Sequence, residues 1–242
     1  MNHTNLIARN RAVHNVLLKL RSVIGLLLLS AILSILSPRF LTYSNLLNVL
    51  RQTSLNAIIA VGMTFVILTG GIDLSVGSIL AFSSAIAASM AHNNFSATIA
   101  ILTGLLIGLL LGLINGLIVT QGNVLPFIAT LAMMTMARGA TLVYSNGQPI
   151  TGLGEGFYLI GNGYIGQIPI PVIITIGVLL IAYYVLSQTR TGRYIYAVGS
   201  NENAAKLTGI NIKMVKTLVY AISGFTAALS GIIITSRLNS AP

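Results

Sequence analysis

The residues able to do chemistry in this chain are few. Its 242 residues include three acids, three histidines and no cysteine. His3, His14 and His92 are scattered, and the acids lie on distant segments, so the spacing offers neither an acid–base pair nor a metal cluster. Without cysteine there can be no disulfide framework and no thiolate metal site. No G-x-x-x-x-G-K-[ST] loop is present, so any ATP hydrolysis must belong to a partner. No cofactor or metal is expected, and a membrane enzyme is the poorest reading. One acid stands in an unusual setting. Asp73 falls inside "ILTGGIDLSVGSILAF", hemmed in by Gly70, Gly71, Ser75 and Gly77 between two apolar runs. Two roles fit it. Its carboxylate can cap the following helix by taking the free amide of Ser75 or Val76, a task Ser75 could share. An ionisable group near a membrane can also mark a translocation path or a coupling site.

The elements that must position Asp73 follow from composition. The chain is 55% hydrophobic and 7% charged, with a mean hydropathy of +0.91, against roughly 25% charged residues in a soluble domain. This predicts an all-α polytopic membrane protein. A spanning helix needs roughly 20 apolar residues. On that measure about seven spans are expected, near Val23–Leu36, Leu46–Thr69, Val76–Met90, Ala97–Thr120, Val124–Tyr144, Ile170–Leu186 and Val215–Thr235. Strands are not expected to cross, because the runs are long and continuous. The first run passes into Ser37-Pro38 without a small-residue cleavage pattern, so it reads as a retained segment. The expected division is a cytoplasmic head over 1–21 and a membrane domain over 22–242, with a cytoplasmic loop at 188–214.

The net charge of +10 is concentrated in two places. Arg9, Arg11, Lys19 and Arg21 lie in the head; Arg190, Arg193, Lys206, Lys213 and Lys216 lie late in the chain, against Glu202. This is a topology signal, with no call for nucleic acid, and both clusters read as cytoplasmic. An even number of spans separates them, so the two assignments agree. Arg39 and Arg51 then fall toward the outer side, where they can snorkel, and Tyr144–Pro169 becomes a long outer loop. Gly104, Gly108, Gly112 and Gly116 recur every four residues and line one helix face, which lets another backbone approach closely. Ala81, Ala85 and Ser89 repeat that spacing, as do the pairs Gly224–Ala228 and Ala227–Gly231. The next helix after Gly70-Gly71 can hardly begin before Leu74, and from there to Met90 it spans about 25 Å. The Asp73 junction is therefore expected to dip into the membrane, where irregular backbone needs protein or a water-filled cavity around it.

The second segment of interest is "TGRYIYAVGSNENAAKLTGINIKMVK". Ser200 or Asn201 can start a helix, Glu202 and Asn203 fill its first turn, and Gly209 ends it. One short helix is expected at the membrane face. It is either a connector held by anionic lipid headgroups or a docking helix for a soluble partner.

At these segments the chain resembles a known family. "GMTFVILTGGIDLSVGS", "FIATLAMMTMARGATLVYSNGQPI" and "GRYIYAVGSNENAAKLTGIN" are similar to the permease subunit of ribose-type ABC importers, in the same order. That resemblance implies a permease homodimer in the bacterial inner membrane, served by a periplasmic sugar-binding protein and driven by two cytoplasmic ATP-binding subunits. It implies that Glu202, Ala204, Ala205 and Gly209 belong to an EAA-type coupling loop, here with Asn203 inserted. It also places Asp73 in a Gly-Ile-Asp-Leu-Ser motif and leaves sugar contacts unassigned. Similar permeases continue past the position of Pro242 through further helices, so a truncated chain is expected. Ribose or a related monosaccharide is the implied cargo. A non-functional remnant and an ion-coupled secondary transporter are the competing readings; the latter has only Asp73 to offer for coupling.

Overall fold

The computed structural model describes residues 21–241. The basic head, with Arg9, Arg11, Lys19, His3 and His14, lies outside the described residues, as does the proposed 1–21 segment apart from Arg21. The chain divides into two compact units, one ending at Val49 and one starting at Leu50. In the first lies the apolar helix α1, Arg21–Leu36, and there α2, Tyr43–Leu68, begins.

In the second unit α2 continues, followed by α3 (Val76–His92), α4 (Ala97–Thr120) and α5 (Pro126–Tyr144). Then come the short strand β1 (Ile150–Thr151), helix α6 (Glu155–Asn162), and strands β2 (Tyr164–Ile165) and β3 (Ile168–Pro169). Helices α7 (Ile170–Gln188), α8 (Arg190–Ser200), α9 (Glu202–Leu207) and α10 (Ile212–Leu238) follow, and β4 (Ser240–Ala241) ends the described chain. Among the described residues five helices are long and apolar enough to cross a membrane: α2, α4, α5, α7 and α10. The other two expected spans, α1 and α3, are shorter apolar helices. All strands are two residues long and sit outside the spans, pairing as β1–β4 and β2–β3.

The centre of the second unit is α10, packed on α4 and α3. The reason is the small-residue seam. All four glycines of the α4 repeat are buried. A methyl group built on Gly112 would lie 2.3 Å from the Tyr220 carbonyl, and one on Gly108 would lie 2.6 Å from that of Gly224. Gly224 returns the contact against Gly112. Backbone therefore touches backbone, which supplies dispersion contact where apolar lipid gives helices little hydrophobic reason to associate. Gly104 faces α3 as well, beside Ala87 and the Ser83 carbonyl.

Two expectations about the basic segments need correction. Arg51 does not snorkel: it is buried on α2, its guanidinium bonded to the Tyr164 hydroxyl and stacked over that ring at 5.1 Å. Cation–π attraction and a hydrogen bond replace the water it would otherwise seek. The loop at 188–214 holds two helices instead of one. Thr189 caps α8 by accepting from the Gly192 amide at 3.2 Å, a start signal hidden in a stretch rich in Gly and Tyr.

Candidate functional site

The chain leaves α2 through a Schellman turn. Gly70, at φ +75°, takes the left-handed position; its amide donates to the Ile67 carbonyl at 2.9 Å, and that of Gly71 to Val66 at 3.1 Å. Residues Gly71–Ser75 then run without regular structure until α3 begins at Val76. Side chains from other helices satisfy part of this exposed backbone. Thr130 of α5 and Tyr220 of α10 both donate to the Ile72 carbonyl, at 3.3 and 3.4 Å. Irregular backbone inside a membrane requires such partners.

Asp73 lies at the centre of this junction and is 1% exposed. Its Oδ1 accepts from the Ser75 amide at 2.9 Å and from the Ser75 hydroxyl at 2.6 Å. Its Oδ2 accepts from the Ser223 hydroxyl of α10 at 2.7 Å. Asn115 of α4 donates to Ser75 Oγ at 2.8 Å. The Ser75 proton is committed to Asp73, so Asn115 must present its amide nitrogen there; its own Oδ1 is buried without a partner. Among the described residues the one ion pair is Lys216–Glu202, so no cation answers Asp73. Hydroxyl and amide donors hold it, with the positive end of the α3 dipole beside it.

Depth follows from helix counts. Ser223 is about 16 Å along α10 from its first residue, and Asn115 about 7 Å from the last residue of α4, at 1.5 Å per residue. The junction therefore sits well inside the bundle. The Ser75 amide is the one Asp73 takes, and Val76 is not its partner. Ser75 stands at the N-cap position of α3, yet its hydroxyl turns back to Asp73 and makes no cap bond.

The second candidate region lies at the basic end. Asn201 caps α9, its Oδ1 accepting from the Ala204 amide at 3.0 Å. Gly209, at φ +83°, closes the helix with a second Schellman turn: its amide donates to Lys206 at 3.1 Å and that of Ile210 to Ala205 at 3.2 Å. Ala205 is buried toward the bundle, whereas Glu202 and Ala204 are exposed. Glu202 bonds Lys216 of α10 at 2.7 Å. An open groove of about 570 Å³ runs between α9, the start of α10 and the α4–α5 turn, lined by Glu202, Asn203, Lys206 and Val124 among others.

Helix α8 connects the two regions. Gly199 rests on the end of α2, where a methyl group would stand 1.8 Å from the Leu68 carbonyl. Leu68 immediately precedes the turn that leads to Asp73. The α9 residues and the junction residues are thus separate clusters joined through α8 and α10. The Asn115 and Ser223 contributions escaped sequence reasoning. The available signal was an amide and a hydroxyl inside otherwise apolar helices, which need a partner there.

Five helices long and apolar enough to cross a membrane, packed around an irregular junction, define a multi-pass membrane protein. The family described as "Branched-chain amino acid transport system / permease component" matches residues 45–242, and the chain belongs to it. It is 52% identical over 236 residues to the ribose import permease protein RbsC of Haemophilus influenzae, covering 96% of this chain and 73% of that one. Against the RbsC protein of Bacillus subtilis it is 52% identical over 228 residues, 93% of this chain and 71% of that one. The D-allose transport system permease protein AlsC of Escherichia coli is 38% identical over 218 residues, with 89% and 67% covered. No solved structure gives a significant match.

Proposed function

We propose that the chain is the membrane-spanning subunit of an ATP-driven importer of ribose or a closely related monosaccharide. The observation that carries this reading is the identity of 52% with ribose import permeases across more than nine-tenths of the chain. Identity to the permeases named for galactofuranose and allose falls to 35% and 38%.

In this reading the basic end faces the cytoplasm of a bacterium, with the membrane domain over 22–242 in the inner membrane and the 1–21 segment cytoplasmic. ATP-binding subunits dock on α9 and its groove through the exposed Glu202 and Ala204. Ala205 and Gly209 hold that helix in place. Closure of the ATPases moves α9, which is tied to α10 by Glu202–Lys216 and is continuous with α8 on the end of α2. Those two helices meet at Asp73, so docking-helix motion reaches the junction by two routes. At the opposite end the segment after α5 is ordered against α10: the Ser236 hydroxyl donates to the Phe157 carbonyl, the Gly161 amide donates to Ser236 Oγ at 2.8 Å, and β1 pairs with β4. A periplasmic sugar-binding protein lands on that surface, and a second permease copy completes the pathway. The ion-coupled alternative needs an acid that can exchange protons or ions with water, and the Asp73 carboxylate is enclosed and fully hydrogen-bonded.

The test is co-purification of the permease with an ATP-binding subunit from detergent-solubilised membranes. The pair should stay together, and replacing Glu202–Leu207 by a Gly-Ser linker should separate them. Retention of the ATPase by the linker variant would remove α9 from the interface.

A further inference from the structure

Arg138 is a charged residue in the wrong place for a lipid-facing helix. It lies about 9 Å from the far end of α5, six residues before Tyr144, at 1.5 Å per residue. Its side chain is exposed, and among the described residues no hydrogen bond or ion pair reaches it. An intramembrane charge is costly unless it faces the bundle interior, a partner or water. Arg138 lines an open groove of about 370 Å³ between α3 and α5, together with Gly77, Ser78, Ala81, Met134 and Thr141. Ser78 and Thr141 stand on the same wall, the Thr141 hydroxyl donating to the Ala137 carbonyl at 2.8 Å, and Gly77 leaves space that a side chain would fill. The groove begins within a few residues of the Asp73 junction, because Gly77 is in the first turn of α3.

None of the three acids in this sequence is paired with Arg138. Asp73 is enclosed, Glu202 is paired with Lys216 at the basic end, and Glu155 opens α6 beyond the spans. The partners that the groove itself can offer the guanidinium are neutral oxygens. Its planar fork of N–H donors can bridge two adjacent oxygen acceptors, and a vicinal diol presents that pair. An uncharged, polyhydroxylated ligand is thereby held by a few charge-assisted bonds, weakly enough to move on.

We propose that Arg138, with Gly77, Ser78 and Thr141, forms the wall of a water-filled passage between α3 and α5, and that its guanidinium hydrogen-bonds adjacent sugar hydroxyls in transit. This deepens the importer reading and rests on it.

This sequence has no cysteine, so the labelling of an introduced thiol is read on this polypeptide against the unsubstituted one. Gly77→Cys puts a thiol where a Cβ meets nothing within 4 Å; Gly177→Cys does the same in the middle of the apolar helix α7. Both would be made in the full transporter in membranes and treated with a membrane-impermeant cationic methanethiosulfonate, which needs water to generate the thiolate. Gly77→Cys should react well above the Gly177→Cys background. Ribose at roughly ten times its dissociation constant should slow that reaction about tenfold, by occupancy alone. Reaction no faster than at Gly177, or reaction that ribose does not slow, overturns the proposal. A second arm measures ribose uptake at matched membrane abundance: Arg138→Lys should keep more uptake than Arg138→Met, and equal uptake by Arg138→Met and wild type also overturns it. If the unsubstituted transporter takes up no ribose, the importer reading has failed. Uptake without labelling at Gly77→Cys sinks the passage alone.

Discussion

The Ser223 hydroxyl donates a 2.7 Å hydrogen bond to Asp73 Oδ2, across 150 residues of sequence. One side chain of α10 thereby closes the irregular turn between α2 and α3. Removing it in Ser223→Ala leaves a buried carboxylate oxygen unpartnered, which costs about 1–3 kcal/mol. The expected result is a lower unfolding temperature in detergent. An unchanged midpoint would mean the carboxylate finds another donor.

The same geometry separates shape from charge at Asp73. Asp73→Asn keeps an acceptor for both Ser75 donors, and its new amide can donate to Ser223, whose hydroxyl can rotate to accept. Stability should fall by no more than about 1 kcal/mol, the net worth of one ordinary hydrogen bond, with most ribose uptake retained. Asp73→Leu loses all three bonds and should fail to accumulate in the membrane. Normal abundance of Asp73→Asn with uptake abolished would show that the charge itself is required.

The seam between α4 and α10 admits no added carbon. Gly112→Ala places a methyl group against the Tyr220 backbone, and overpacking of this kind costs about 1–3 kcal/mol. Gly177→Ala in α7 meets nothing and should stabilise by about 0.4–1 kcal/mol, through loss of freedom in the unfolded chain. Monodispersity after heating in detergent should rank the variants in that order.

Gly199→Ala tests the route through α8. Its methyl group would collide with the Leu68 carbonyl, so α8 must lift from the end of α2 while α9 keeps its own caps. ATPase co-purification should persist, with ribose uptake down about tenfold or more, a penalty of about 1.4 kcal/mol or more in the coupled step. Equal loss of docking and uptake would show that Gly199 only supports the position of α9. The Glu202–Lys216 pair is exposed and worth at most about 1 kcal/mol, so Glu202→Gln should leave stability nearly unchanged and weaken docking.

Periodicity made the long apolar helices legible, since lipid demands continuous apolar runs and the glycine repeat marks its own contact face. The α9 boundaries were legible too, because Asn201 and Gly209 are local signals. What stayed hidden was long-range. Nothing near Asp73 in sequence names Ser223 or Asn115, and nothing near Arg51 names Tyr164; only the packing brings them together. Helix α8 was missed because Gly192 and Gly199, poor helix formers, sit in it where close backbone contacts require them. Helix α6 and strand β1 lie in a Gly- and Pro-rich stretch whose order comes from contacts with the end of α10 and with β4.

The most direct test of the account is transport by purified components. The permease, its ATP-binding subunit and its sugar-binding protein would be reconstituted in proteoliposomes, with ATP in the compartment the ATPase faces and labelled ribose on the other side. The account predicts ribose accumulation that requires ATP and is unaffected by collapsing proton and sodium gradients. Uptake that ignores ATP and vanishes with an ion gradient would contradict it.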